Sequence, residues 1–294
     1  MMIAFIGESL VDLISSDGEN FTKRIGGSPL NIARNLNQFN IKTVVISRVG
    51  NDFFGKEIIQ TLEGENIKTN YIQVGSGNTS TVIVFASKGT PDFIPYRDED
   101  MNLEIPNLDF EKFEFIHLSC WAITNGIEKI KHILTKTKIA FDPNCRKKIF
   151  PCKKINLDFV YEVLKNTFIV KPSLDDAREI FGPLPRTRYI ELLHDFGIKY
   201  VILTMGEEGA LVSDGKKIEH IKIPAKKVVD TTGAGDAFWS GIYYGLLNNF
   251  SIFKAALFGT IISLHVIGEV GGVVKLKDIS EYLEEVERYE NSVL

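Results

Sequence analysis

Along the chain, short apolar runs rich in β-branched and aromatic residues alternate with stretches in which apolar positions recur every three or four residues. IAFIG (3–7), TVVISRVG (43–50), FEFIHLS (113–119), KIAFD (138–142), TFIVK (167–171) and YVILT (200–204) are the apolar runs. Near-continuous apolar strands separated by helical patterns are the mark of a mostly parallel sheet with helices on both faces. Between the first two runs lies GGSPLNIARNLNQFN (26–40), in which Ile32, Leu36 and Phe39 keep helical spacing. Ser28 is the expected cap of that helix and Pro29 suits its first turn, with Gly26 and Gly27 giving a turn where backbone can approach a ligand.

Two segments break this rhythm. VDLISSDGENFTKRI (11–25) and TSTVIVFASKGTPDFIPYR (79–97) each place short strand patterns around a turn-rich middle, and together they predict a small β lid beside the main sheet. MGEEGALVSDGKKIEHIKI (205–223) predicts a further hairpin turning at SDGK. From Ala234 to the end the pattern is helical, in three segments: AFWSGIYYGLLNN, SIFKAALFGTIISLHVIG and KDISEYLEEVERYE. The expected class is thus α/β, one domain over 1–294, with the lid formed by about 11–25 and 79–97.

Composition narrows the picture only by exclusion. With 34 basic and 38 acidic residues among 294, no net charge excess draws the molecule to nucleic acid or to an anionic membrane. Cys120, Cys145 and Cys152 cannot all pair and lack metal-ligand spacing, so neither a disulfide frame nor a zinc site is expected. The opening MMIAFIG has no basic leader and reads as a strand, and no run reaches the length of a membrane span. The expectation is a cytoplasmic protein acting on small molecules; a homodimer is left open.

One stretch points to chemistry. In VVDTTGAGDAFWSG (228–241) glycines precede a helix start, where peptide N–H groups of residues 233 to 236 and the helix dipole make a ready anion site. A carboxylate beside a bound phosphate is repelled, unless Asp236 accepts the proton of a hydroxyl that attacks it. The alternative left open is a plain turn in which Asp236 only favours the dipole. A P-loop is absent, and neither Gly233-Ala-Gly235 nor MIAFIGESL completes a dinucleotide fingerprint.

The same residues carry a resemblance. DTTGAGDAF (230–238) resembles the C-terminal signature of the ribokinase-like (PfkB) carbohydrate kinases, and GGSPLNIARNLNQF with SRVGNDFFG (47–55) resembles the N-terminal one. GESLVDLI, FDPNCR, VKPSLDDAREIFG and LTMGEEGALV fall in matching order over nearly the whole chain. The resemblance implies a ribokinase-like three-layer sandwich and transfer of the γ-phosphoryl of ATP to a sugar hydroxyl. Asp236 would be the base, with Gly233, Ala234 and Gly235 as the anion hole. Asp12, Gly27 and Asn31 would hold the sugar.

Within the family, YRDEDMNL (96–103) and FDPNCR (141–146) resemble the fructokinase and 2-keto-3-deoxygluconate kinase subgroup. That implies Arg97 over the substrate, with Asn144, Arg146, Thr204, Gly206 and Gly209 toward the nucleotide. Fructose is the first expected acceptor, ahead of 2-keto-3-deoxygluconate, ribose or a nucleoside; a catalytically silent sugar sensor is the non-enzyme alternative. Magnesium would arrive on ATP. The family's Asn-x-x-Glu motif is replaced here by Ser173 and Asp176, so Asp176 is the metal candidate, acting through water. Potassium would sit near DTT and HVIGEVGG (265–272). Trp121 and Trp239 are expected in the core, and Lys147 and Lys148 on a solvated turn.

Overall fold

A computed structural model describes residues 1–85, 92–124, 126–150 and 153–292. The apolar runs become strands β1 (Met2–Ile6), β4 (Lys42–Gly50), β8 (Phe115–Ser119), β9 (Lys138–Asp142), β10 (Thr167–Val170) and β11 (Tyr200–Thr204). They lie in a sheet whose order is β13-β12-β11-β10-β9-β8-β1-β4-β5, where β5 is Ile72–Gly75, β12 is Ala210–Ser213 and β13 is Ile218–Ile221. Neighbours from β5 through β11 run parallel, and the β12–β13 hairpin closes one edge in antiparallel fashion.

Alternation along β1 shows how the layers are built. Ala4 and Ile6 face the side covered by α4 (Leu157–Leu164), α5 (Leu174–Phe181) and α6 (Arg186–Asp195), through Val160, Ile180 and Ile190. Ile3 and Phe5 face α1 (Ser28–Gln38), α2 (Phe53–Gly64), α7 (Ala234–Leu247) and α8 (Ile252–Val266), through Leu30, Ile58, Ile242 and Ala255. The last helix, Ile279–Ser292, packs Tyr282 and Val286 onto Phe258 and Ile262 of α8. No helix among the described residues is long and apolar enough to cross a membrane.

The segments expected to form the lid pair with each other. Strands β2 (Leu10–Ser15), β3 (Thr22–Gly26), β6 (Thr81–Phe85) and β7 (Asp92–Tyr96) form a separate sheet in the order β3-β2-β6-β7. The turn expected at SKGTP lies outside the described residues, as does Cys152. The lid leaves the main sheet directly after β1, the strand flanked by β4 on one side and β8 on the other. This is a reversal point of an open parallel sheet, where strand ends diverge and leave a crevice.

Candidate functional site

The crevice is defined by two helix starts that face each other. At the first, Gly27 occupies the N-cap of α1 with φ of 110°, and a Cβ there would lie 2.4 Å from the Glu8 carbonyl oxygen, so only glycine fits. Ser28, expected as the cap, does not cap. Its amide donates to Glu8 Oε1 (3.0 Å), and its hydroxyl donates across the crevice to Asp236 Oδ1 (2.6 Å). One helical turn on, Asn31 Nδ2 donates to Asp236 Oδ2 (2.9 Å), while Asn31 Oδ1 is buried with no protein partner. An unpaired buried acceptor beside a carboxylate suits a ligand that brings a hydroxyl donor.

At the second start, Gly233 caps α7 in the left-handed region (φ 75°), and no side chain caps the helix. A Cβ on Gly233 would stand 2.3 Å from the Gly272 carbonyl oxygen, so the 267–272 loop and the helix start are pressed together. The Ala234 amide reaches back to the Thr231 carbonyl (3.3 Å), a partner that the sequence did not suggest. Among the described residues the amides of Gly233, Gly235 and Asp236 have no backbone acceptor. Open donors at a helix start are of the kind that can hold an anion.

Burial pushes the Asp236 carboxyl up to about 6; the Ser28 and Asn31 hydrogen bonds pull it back, Asp142 adds to the rise, and Lys171 opposes it. Asp12, on β2 of the lid, is pushed up to about 7 by burial and by the charge of Asp236. The Asp12 carboxyl on the lid thus feels the charge of Asp236 at the helix start.

Lys171 is a buried cation beside this helix start that the sequence pattern does not single out. It is buried, its Nζ pairs with Asp142 Oδ2 (2.9 Å), and it lies 3.5 Å from where a Cβ on Gly235 would be. A positive charge thus sits beneath the open amides. Asp142 also accepts from the buried Trp239 Nε1 (2.8 Å), and behind it His117 meets the Tyr243 hydroxyl (2.8 Å). Burial, with Lys171 beside it, holds His117 down at about 3, so the imidazole is neutral at pH 7. The signal in the sequence was a lysine ending an apolar strand, TFIVK, beside an acid ending the next, KIAFD.

The model of the pfkB family of carbohydrate kinases matches residues 1–278. The chain belongs to that family. It is 36% identical to the ATP-dependent 6-phosphofructokinase of Thermoanaerobacterium thermosaccharolyticum over 93% of this chain and 90% of that protein. Among solved structures it resembles the fructokinase of Halothermothrix orenii (36% identity, TM-score 0.77, 94% of this chain and 100% of that one). It also resembles the fructokinase of Vibrio cholerae bound to fructose, ADP and calcium (25% identity, TM-score 0.83, 96% and 98%). The protein is a carbohydrate kinase with the ribokinase-like α/β fold.

Two of the expected site residues are engaged by protein partners in the structure. Arg97 presents no free fork: its guanidinium donates to Asp100, to Thr124 Oγ1 (2.6 Å) and to the carbonyls of Ile149 (3.0 Å) and Trp121 (3.1 Å), and stacks on Trp121. All five of its N–H donors are engaged, so it ties the end of β7 to the sheet. Asp176, the candidate for a metal met through water, has both carboxylate oxygens occupied by protein donors. Its Oδ2 accepts from the Ser173 amide and hydroxyl, and its Oδ1 from the Cys145 amide and Arg146. These four donors saturate it.

The nucleotide-side candidates are brought to neighbouring strand ends. Asn144 takes a positive φ of 38° in the FDPNCR turn, and Arg146 is half-exposed beside Asp176. Thr204 hydrogen-bonds the Pro172 carbonyl, while Gly206 (φ 60°) and Gly209 (φ 85°) shape the β11–β12 hairpin. A Cβ on Gly209 would meet the Ile221 carbonyl at 2.2 Å, so that glycine has a structural reason to be there. Lys147 pairs with Glu179 (2.9 Å). Cys120 and Cys145 are both buried and free, with sulfurs 3.1 Å apart.

Proposed function

We propose that this kinase transfers the γ-phosphoryl of ATP to a hydroxyl of a fructose-type keto sugar held between the lid and α1, with Asp236 as the general base. The observation that carries the reading is the Asp236 carboxylate, fixed by Ser28 and Asn31 at a helix start whose amides stay open. Asp236 takes the hydroxyl proton as the sugar oxygen bonds to the γ-phosphorus, and the bond to the bridging oxygen breaks, releasing ADP. The amides of Gly233, Gly235 and Asp236, with Lys171 below, face the negative charge of the transferred group. Asp12, Asn31 and the backbone at Gly27 hold sugar hydroxyls. Because Asp236 works ionised, turnover rises with pH through about 6.

Asn144, Arg146, Thr204, Gly206 and Gly209 line the side on which the nucleotide extends. Magnesium would come with the nucleotide; the saturated Asp176 does not fit it, and no step runs through it. The loops expected to hold potassium do meet, since the Val229 and Asp230 amides donate to the Ile267 carbonyl and Gly271 to Asp230. Support for the acceptor comes from the relatives' names, a 6-phosphofructokinase and two fructokinases. Sugar-dependent ADP release over fructose, fructose 6-phosphate, 2-keto-3-deoxygluconate, ribose and a nucleoside tests it. A keto sugar is expected to give the highest kcat/KM, and response to a nucleoside alone would overturn the assignment.

A further inference from the structure

Among the described residues of the lid, Arg24 is a cation that forms no ion pair. In the β2–β3 ladder Arg24 stands directly opposite Asp12, and opposed residues of an antiparallel pair project from the same face. Asp12, on that face, is pushed up by burial and by the charge of Asp236. Arg24 is exposed and forms no ion pair among the described residues; its guanidinium donates only to the neighbouring Lys23 carbonyl (3.2 Å). The other cations nearby are matched, Lys23 with Glu57 (2.5 Å) and Arg34 with Glu65.

Arg24 also reaches the body of the molecule. Its Nε lies 3.6 Å from where a Cβ on Gly271 would stand, and the same position on Gly272 lies 3.4 Å from Asn31 Nδ2. Arg24, Gly271 and Gly272 border a cavity of about 360 Å³ with Lys23, Arg34 and Glu57, in which Lys23 and Glu57 pair with each other. The Gly271–Gly272 backbone thus runs between Arg24 and Asn31, a residue that holds Asp236. A planar fork with free donors is suited to a phosphate or a carboxylate, and has little to offer a neutral hydroxyl.

We propose that Arg24 recognises an anionic group, phosphate or carboxylate, carried by the acceptor at the end remote from the hydroxyl that Asp236 deprotonates. The acceptor is then an anionic keto sugar rather than a neutral one. This rests on the kinase reading above.

The test is sugar-dependent ADP release by wild type, Arg24→Gln and Arg24→Lys with fructose, fructose 6-phosphate and 2-keto-3-deoxygluconate. Wild type is expected to favour one of the two anionic acceptors over fructose by at least tenfold in kcat/KM (roughly the discrimination one charged contact gives). Which one distinguishes a phosphate from a carboxylate. Arg24→Gln should lower kcat/KM for that acceptor about 30-fold more than for fructose, and Arg24→Lys should restore part of it. A wild-type preference for fructose, or an equal loss on all acceptors with a raised KM for ATP, would overturn the proposal; the second result would move Arg24 to the nucleotide. No ADP release with any sugar would instead remove the kinase reading. Calorimetric binding of fructose 6-phosphate, 2-keto-3-deoxygluconate and fructose to wild type and Arg24→Gln would then decide Arg24 alone: weaker anion binding in the variant supports it, and equal binding overturns it.

Discussion

Two aspartates occupy the third position of a helix in this molecule, and they have opposite fates. Asp176 follows the N-cap Ser173 of α5 and closes a capping box with it, so the helix start is satisfied from within and the acid has no free oxygen. Asp236 follows Gly233 of α7, which has no side chain to cap with. The amides there stay open, and the acid is free to be held by Ser28 and Asn31 from another helix. The difference is one residue at the cap. A serine turns a helix start into a joint, and a glycine leaves it as a site.

The same substitution at both positions should separate the two roles. Asp236→Asn is expected to lower kcat about a thousandfold, the usual scale for a general base, whereas folded Asp176→Asn should stay within about tenfold of wild type. Stability should move in opposite directions in thermal or denaturant unfolding. Asp176→Asn leaves Arg146 and a buried amide facing another donor and should cost about 2–4 kcal/mol. For Asp236 the folded pKa is raised from 3.8 to about 6, so the fold favours the protonated acid. Its stability contribution is fullest below the unfolded value and falls as pH rises from about 4 through about 6. At pH 8 Asp236→Asn should therefore stabilise by about 1–2 kcal/mol, allowing for partial exposure. Matching signs at the two sites would break the comparison.

Much of this contrast was legible in the chain. The apolar runs marked the parallel strands because they are buried on both faces, and GAGD marked an uncapped helix start because a glycine there has no side chain to satisfy the amides. Arg97 and Asp176 were placed by likeness, and the structure fills both with protein partners that lie far away in sequence or across a turn. Asp176 could have been read locally, since Ser173-x-x-Asp176 is itself a capping pattern. Ser28 was read locally and wrongly for the same reason in reverse. Its hydroxyl is drawn 208 residues along the chain to Asp236, a contact that no local pattern encodes. The Lys171–Asp142 pair needed adjacent parallel strands, which fixed the topology rather than the motif. Arg24 became visible only through its register opposite Asp12.

The central claim is that ionisation of Asp236, set by donors from α1, governs turnover, and the smallest expected effect tests it most directly. Ser28→Ala removes a hydrogen bond that lowers the Asp236 pKa. The pH profile of kcat/KM in wild type should rise with an inflection near 6, and in Ser28→Ala that limb should move to higher pH while the plateau above pH 8 changes less than about tenfold. A limb that stays in place when the Ser28 hydroxyl is removed would contradict the account.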